Sequence, residues 1–183
     1  MAEETELQLL QGINRHDRQA MRRLYDRYAG YAMAVAMRYV ASREDARDVV
    51  QDSFVKILTS ISRFDYRGEG SLKSWVSRIV SNSAIDCVKN RQQVTFVSDV
   101  PDDAADSPPD VERVPPDVLN RLIGQLPTGY RLVLNMYVFE GLPHKTIAQR
   151  LGISENTSAS QLNRAKKKLA QLLNTHLKQK ENL

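Results

Sequence analysis

The sequence has few of the residues that mark secreted, metal-binding or membrane proteins. It contains one cysteine, Cys87, and three histidines among 183 residues, so no disulfide framework can form and a reducing compartment is expected. The N-terminal segment MAEETELQLL is acidic and lacks the apolar run of a secretion signal. No stretch approaches the roughly 18 consecutive apolar residues that span a bilayer. The composition predicts a cytoplasmic protein with no membrane insertion and no cofactor.

Charge is unevenly distributed along the chain. Residues 1–98 carry 15 Lys/Arg against 12 Asp/Glu, residues 99–117 carry 1 against 7, and residues 118–183 carry 10 against 3. Residues 99–117 also hold five of the seven prolines, and such a segment buries too little apolar surface to offset the entropy cost of ordering. Ordinary solvated charge would give similar counts, but the pattern favours two modules that face polyanions, joined by an extended acidic linker.

Apolar residues recur at helical spacing in the first half of the chain. This spacing predicts a long amphipathic helix from residue 17 to Tyr39, a shorter preceding helix with Leu7 and Leu10, and a helix over 43–61 in which Ser42 begins a capping box with Asp45. An exposed loop, FDYRGEG, and a helix from Ser71 to about Arg91 follow. The expected buried positions are Met21, Leu24, Tyr25, Tyr28, Ala32, Val35, Ala36, Tyr39, Ala46, Val49, Val50, Phe54, Ile57, Leu58, Ile61, Leu72, Trp75, Val76, Ile79, Val80, Ser83, Cys87 and Val88. The first half is therefore predicted to be a compact helical bundle.

The second half contains a helix-turn-helix pattern. A short helix after Pro116 should stop at Pro127, and Thr128 can cap the next helix, which carries Val133, Met136 and Tyr137. A helix starting near Pro143 should end at Gly152, and Ser154 should cap a further helix to about Leu173. No segment alternates with the period of a strand. The predicted fold class is all-α, with two small helical domains.

The order of residues in the last two helices suits DNA binding. In a helix-turn-helix the second helix presents its N-terminal residues to base edges in the major groove, and flanking cations contact phosphates. Packing through Ile147, Ala148, Leu151, Ile153 and Leu162 would leave Glu155, Asn156, Ser158 or Ala159, Ser160, Gln161 and Asn163 partly outward. The basic residues Arg164, Lys166, Lys167 and Lys168 follow, and no acidic residue occurs from Asn156 to Lys180. A basic solvated helix would look similar, but turn, cap and charge together favour DNA binding.

The helix over 43–61 carries Asp48, Gln51 and Asp52 on its outward face. A metal-dependent nuclease that uses the two carboxylates is one hypothesis, but no histidine is nearby and metal sites usually need more ligands. An exposed acidic face is more typical of a surface that binds a protein partner.

These segments together resemble a known family. The run DARDVVQDSFVKIL, the loop FDYRGEG and the helix SLKSWVSRIVSNSAIDCVKNR are similar to region two of bacterial sigma factors. The segments LPTGYRLVLNMYVFEGL, HKTIAQRLGISENT and LNRAKKKL are similar to region four. The order, the short length and the missing middle domain resemble the extracytoplasmic-function (ECF) group.

The resemblance implies a non-enzymatic subunit that binds core RNA polymerase, directs it to promoters and helps to melt DNA. It implies a region-two-like domain over 1–93, a linker over 94–116 and a region-four-like domain over 117–183. Its implied partners are the clamp helices of the largest polymerase subunit, the polymerase flap, promoter DNA and an anti-sigma factor. The residues alone leave open a stand-alone helix-turn-helix regulator that dimerises through its first half.

The resemblance also assigns site residues by position. Polymerase binding falls on Asp48, Gln51, Asp52 and Phe54, although the spacing of Phe54 favours the core. Minus-ten DNA falls on the loop from Phe64 to Ser71 and the following helix: Asp65, Tyr66, Arg67, Gly68, Arg78, Asn82, Asp86 and Lys89. Minus-thirty-five DNA falls on Glu155, Asn156, Thr157, Ser160, Gln161, Arg164, Lys167 and Lys168. The sequence departs from the family at Ser158, Ala159 and Gln161, where an aliphatic residue, a Lys and an Arg are frequent.

Overall fold

A computed structural model describes residues 4–40, 42–91, 94, 96 and 114–181. These residues form helices and no strand, which confirms the predicted all-α fold class. The chain divides into two compact units, residues 1–91 and 92–183. Most of the acidic linker expected over 94–116 lies outside the described residues. Within the part that the structure describes, no helix is both long and apolar enough to cross a bilayer.

The first unit is a bundle of four helices. Their bounds are α1 (Glu6–Asn14), α2 (Arg18–Tyr39), α3 (Arg43–Ser60) and α4 (Ser71–Arg91), and a 3₁₀ turn, Ile61–Arg63, follows α3. The Ser42 hydroxyl accepts the Glu44 and Asp45 N–H groups at 3.2 and 3.3 Å, so the Ser42 half of the predicted capping box is confirmed. The bundle packs α2 against α1, α3 and α4, and α3 against α4.

Most of the predicted apolar positions in the first unit are buried, and the exceptions lie at the edges of the helix stripes. Tyr25 and Leu58 are exposed, so their predicted burial is wrong. Met21, Trp75, Ile79 and Cys87 are only half-buried. A stripe read from spacing alone includes edge positions that no second helix covers.

The second unit contains the helix-turn-helix. Its helices are α5 (Pro116–Gly124), α6 (Thr128–Leu134), α7 (His144–Leu151) and α8 (Glu155–Glu181), and a wider π turn, Asn135–Phe139, continues α6. Gly152 has φ 71° and ψ 37°, the left-handed conformation, and its N–H and that of Ile153 donate to the Ala148 carbonyl. The Ser154 hydroxyl accepts the Thr157 N–H at 3.0 Å. The predicted turn and cap are confirmed.

Two predicted boundaries in the second unit are wrong. Thr128 is the first residue of α6 and Pro127 occupies the N-cap position, so Thr128 does not cap the helix. The last helix runs to Glu181 and not to about Leu173. One face of α8 packs Leu169, Leu172 and Leu173 into a cluster with α5, and no glycine or proline follows to end the helix.

Candidate nucleic-acid and protein interfaces

A cleft of about 520 Å³ lies where the loop after the 3₁₀ turn meets the start of α4. The rings of Phe64 and Trp75 lie against each other, with centroids 4.9 Å apart and planes tilted by 39°, and both line the cleft. The polar and charged lining residues are Arg63, Asp65, Arg67, Ser71, Ser74 and Arg78. The cleft therefore combines an aromatic wall with three guanidinium groups.

The structure brings three of the eight predicted minus-ten residues into this cleft: Asp65, Arg67 and Arg78. Asp65 and Arg67 form an exposed ion pair at 3.0 Å. Tyr66 lies beside the cleft, and its hydroxyl donates to Glu69 Oε1 at 3.2 Å. Gly68 turns the loop with φ 106°. The other three predicted residues, Asn82, Asp86 and Lys89, are exposed further along α4 and do not line the cleft.

Sequence reasoning missed three lining residues of the cleft. Arg63 and Ser74 had no assigned role, and Trp75 was expected in the core. The available signal was the pair of aromatic residues that flank the glycine-containing loop, because a tryptophan in the first turns after such a loop has few neighbours to bury it.

The loop is tied to the start of α4 by short local hydrogen bonds. The Arg67 N–H donates to the Ser71 hydroxyl at 3.2 Å, and that hydroxyl donates to the Gly68 carbonyl at 2.6 Å. The carboxylate of Glu6, in α1, also accepts hydrogen bonds from the Leu72 and Lys73 N–H groups in the first turn of α4. Sequence reasoning assigned no role to Glu6.

The outward face of α3 combines acidic and apolar side chains. Asp48, Gln51 and Asp52 are exposed as predicted. The next positions on this face, Val55 and Leu58, are also exposed, Val55 by 63%. An exposed apolar pair beside two carboxylates is typical of a protein-binding surface. We name these five residues the α3 face.

Phe54 does not belong to the α3 face. It is only 5% exposed, and its ring packs against the ring of Tyr25 with centroids 4.7 Å apart. Phe54 therefore lies in the core, as its helical spacing favoured, and its side chain is not presented on the surface where polymerase binding was expected.

Electrostatic contacts link α3 to α4. Arg91, at the end of α4, pairs with Asp45 and also with Asp48, in the second case at 3.3 Å. Burial raises the pKa of the Cys87 thiol, and the nearby charges of Asp48 and Asp52 raise it further.

Among the described residues, no group of three His, Cys, Asp or Glu side chains is placed to hold a metal ion.

The start of α8 presents most of the predicted minus-thirty-five residues to solvent. Glu155, Asn156 and Lys168 are exposed, and Thr157, Ser160, Arg164 and Lys167 are partly exposed.

Gln161 is the exception. It is 0% exposed, so the prediction that it faces outward to DNA is wrong. It lies one turn after Ser158, which is also fully buried and whose hydroxyl is 2.9 Å from His144 Nδ1. These two positions form the face of α8 that packs into the unit, and the His144 contact provides Ser158 with a polar partner there.

Three consecutive apolar side chains are exposed after α6: Tyr137, Val138 and Phe139. The Tyr137 ring stacks on His144 with centroids 4.7 Å apart, and the Lys166 ammonium lies 6.0 Å from its centre. The structure thus places an apolar patch beside the basic start of α8.

Comparison with known proteins identifies both units. Residues 24–94 match the family described as Sigma-70 region 2, and residues 117–169 match Sigma-70, region 4. The RNA polymerase sigma-H factor of Pseudomonas aeruginosa is 26% identical, over 98% of this chain and 99% of its own length. The ECF RNA polymerase sigma-E factor of Haemophilus influenzae is 29% identical, over 91% and 94%. The ECF RNA polymerase sigma factor SigM of Bacillus subtilis is 26% identical, over 82% and 93%.

A solved structure described as "Structure of CnrH in complex with the cytosolic domain of CnrY" is 25% identical to this chain and has a TM-score of 0.49. The aligned region covers 91% of this chain and 96% of the chain in that structure. The two family regions occur in this chain in the order expected from its sequence, and they do not favour the stand-alone regulator. The chain belongs to the sigma-70 family and to its extracytoplasmic-function group, and it is a sigma factor that directs RNA polymerase to promoters.

Proposed function

We propose that the first unit binds core polymerase through the α3 face and opens the promoter through the cleft, while α8 contacts the upstream promoter element. In this proposal the chain consists of a first domain over 1–93, a linker over 94–116 and a second domain over 117–183. The protein acts in the cytoplasm, and the polymerase performs all the chemistry. The observation that carries it is the aromatic and cationic lining of the cleft.

The cleft has the properties needed to hold an unstacked base. Strand opening removes a base from its stack at a cost of a few kcal/mol, and stacking on an aromatic side chain returns about 1–3 kcal/mol per base. Phe64 and Trp75 offer such a surface. The guanidinium groups of Arg63, Arg67 and Arg78 can neutralise the adjoining phosphates. Outside the cleft lining, Asn82 is exposed one turn after Arg78, and its amide can hydrogen-bond a base that enters the cleft or the base next to it.

The α3 face fits a basic protein partner with an apolar centre. Its carboxylates favour cationic side chains, and Val55 and Leu58 add apolar contact area. By family resemblance this partner is the pair of clamp helices of the largest polymerase subunit.

The second unit supports two further contacts. We expect Asn156, Thr157 and Ser160 to meet base edges and Arg164, Lys167 and Lys168 to meet phosphates, because these side chains are exposed or partly exposed. The exposed apolar patch at 137–139 is our candidate surface for the polymerase flap. An anti-sigma factor belongs to the proposal on the family resemblance alone.

The polymerase contact is tested by charge reversal. Asp48→Arg combined with Asp52→Arg should abolish co-purification with core polymerase. The fold should persist, because both side chains are exposed and a surface ion pair such as Asp48 with Arg91 contributes only about 0–1 kcal/mol. Asp26→Arg is the matched control, because Asp26 is an exposed acid on α2 that pairs with its helix neighbour Arg22. Unchanged co-purification of the double variant would refute the assignment of the α3 face.

The opening step is tested at Asn82. Asn82→Ala should reduce permanganate reactivity of promoter thymines more than it reduces polymerase binding. Asn90→Ala, an exposed asparagine near the end of the same helix, should reduce neither. Equal loss of opening and binding in Asn82→Ala would count against a role in base capture.

A further inference from the structure

Glu6 is a buried acid that forms hydrogen bonds to the end of the loop over 65–70 and to the start of α4. Its side chain and backbone together are 2% exposed. Its Oε1 accepts the Tyr28 hydroxyl at 2.7 Å and the Lys73 N–H at 3.3 Å. Its Oε2 accepts the Gly70 N–H at 2.9 Å and the Leu72 N–H at 3.1 Å. A buried carboxylate is tolerated only when its oxygens are paired in this way.

Glu6 provides the cap that α4 lacks in its own sequence. The first N–H groups of a helix have no partner within the helix and are usually satisfied by the side chain just before it. In α4 that position is Gly70, which has no side chain. The Glu6 carboxylate reaches the first turn from another helix, and its negative charge lies at the positive end of the α4 dipole.

The connection also runs in the opposite direction. The Glu6 N–H donates to Glu69 Oε1 at 3.0 Å, and the same oxygen accepts the Tyr66 hydroxyl. This is the reciprocal arrangement of a capping box, divided between the start of α1 and the loop before α4. The segment before α1 is itself fixed to α2, because Arg23 pairs with Glu4 at 3.0 Å and Arg27 donates to the Glu4 carbonyl at 2.8 Å.

We propose that Glu6 is a positioning residue for promoter opening: it fixes the loop 65–70 and the start of α4 so that the cleft has the geometry needed to capture a base. The inference rests on the proposed role of the cleft. A recognition site functions only when its residues are held within about 0.5 Å of the productive geometry. Both Trp75 and Arg78 lie within the first eight residues of α4, whose first turn Glu6 holds.

The test compares Glu6→Gln with Asp26→Asn in the full chain bound to core polymerase. Asp26→Asn is the matched control, because it makes the same change from acid to amide at an exposed position of α2, where Asp26 pairs with Arg22 of its own helix. Each complex is assayed for the rate of opening on a promoter and for the ratio of that rate to the rate on a promoter with one substituted minus-ten base. Both assays are run at a temperature where Trp75 fluorescence shows each protein to be fully folded.

Glu6→Gln should bind core polymerase normally, open the promoter at least about tenfold more slowly and lose most of the base discrimination, since one lost charged hydrogen bond in a buried site is enough for a tenfold effect. Glu6→Asp should recover part of the discrimination because it keeps the carboxylate. A cap that only stabilised the fold would leave discrimination unchanged at this temperature. Unchanged opening and discrimination in Glu6→Gln would overturn the inference.

A second variant covers the case in which Glu6→Gln does not fold. Glu69→Ala removes the reciprocal bond at an exposed position, so the fold should survive and base discrimination should fall. Unchanged discrimination in Glu69→Ala would also overturn the inference. If the wild-type complex opened the promoter without any preference for the minus-ten base, the proposed role of the cleft would fail first and this inference with it.

Discussion

Two glycines in neighbouring helices of the first unit should respond in opposite directions to the same substitution. A Cβ at Gly12 of α1 would lie 2.8 Å from the Cβ of Ala20 in α2, closer than folded proteins allow, and Ala20 is fully buried. A Cβ at Gly30 of α2 would meet nothing within 4 Å. Gly12→Ala is therefore a packing change, and Gly30→Ala changes only the helix backbone and its solvation.

The expected free energies of unfolding follow from these distances. Replacing Gly by Ala inside a helix stabilises it by about 0.5–1 kcal/mol, and Gly30→Ala should show this gain. Gly12→Ala has the same gain but also forces α1 away from α2, and overpacking of this kind costs about 1–3 kcal/mol. We expect the free energy of unfolding of Gly12→Ala to be lower than that of Gly30→Ala by about 1–3 kcal/mol. This difference is the overpacking cost alone, because the gain in helix stability is common to both variants.

Guanidinium unfolding followed by Trp75 fluorescence measures this difference. Trp75 is the only tryptophan in the chain and lies in α4 of the same unit, so its signal reports the unfolding of the first unit. The midpoints should shift with little change in slope, because neither variant alters the area exposed on unfolding by much. Gly12→Ala as stable as Gly30→Ala would refute the close approach of α1 and α2 at this point.

Three further predictions concern other parts of the chain. Burial, assisted by the charges of Asp48 and Asp52, raises the pKa of the Cys87 thiol, so iodoacetamide should alkylate Cys87 more slowly at pH 8 than it alkylates a free cysteine peptide. Asp48→Asn combined with Asp52→Asn should accelerate the alkylation. Equal rates in the wild-type protein and the double variant would contradict this prediction. Arg131 is buried and donates to the Gly124 carbonyl at 2.8 Å, so Arg131→Met should destabilise the second unit by about 1–3 kcal/mol. Faster hydrogen exchange in α6 would report this destabilisation, while the unfolding transition of the first unit, followed by Trp75 fluorescence, should stay unchanged. Lys167→Ala with Lys168→Ala should weaken promoter binding and make the plot of log affinity against log salt shallower by about 0.9 for each phosphate that the protein no longer neutralises; an unchanged slope would remove both residues from the DNA interface.

The sequence was sufficient where structure depends on neighbours along the chain. Apolar spacing located all the long helices. Ser42 and Ser154 marked helix starts, and Gly152 marked the turn between α7 and α8, because a cap or a left-handed residue satisfies backbone groups only a few residues away. The exposed acids of the α3 face were predictable for the same reason, since one face of the helix was already assigned to the core.

The sequence was insufficient where a polar residue has a distant partner. Glu6 reads as an ordinary acid in a first helical turn, and nothing local indicates that its carboxylate caps a helix more than 60 residues later. The polar character of Gln161 and Ser158 predicts an outward position, but the packing of α8 buries both. Trp75 is large enough for a core and aromatic enough for a base, and only its position beside Phe64 distinguishes the two.

The geometry of α4 also explains why polymerase binding and promoter opening should be separable by mutation. α3 and α4 run antiparallel, since Arg91 meets Asp45 and Asp48 near the start of α3, and the Lys56 ammonium donates to the Ser83 hydroxyl at 2.9 Å further along. The acids of the α3 face therefore lie beside the end of α4, whereas the cleft lies at its start. From Arg78 to Cys87, the residue of α4 that the charges of both acids reach, the helix rises roughly 14 Å at about 1.5 Å per residue. That distance exceeds the Debye length of about 8 Å at physiological salt, so a charge reversal in the α3 face leaves the potential in the cleft almost unchanged, and its effect on opening must act through the loss of polymerase itself.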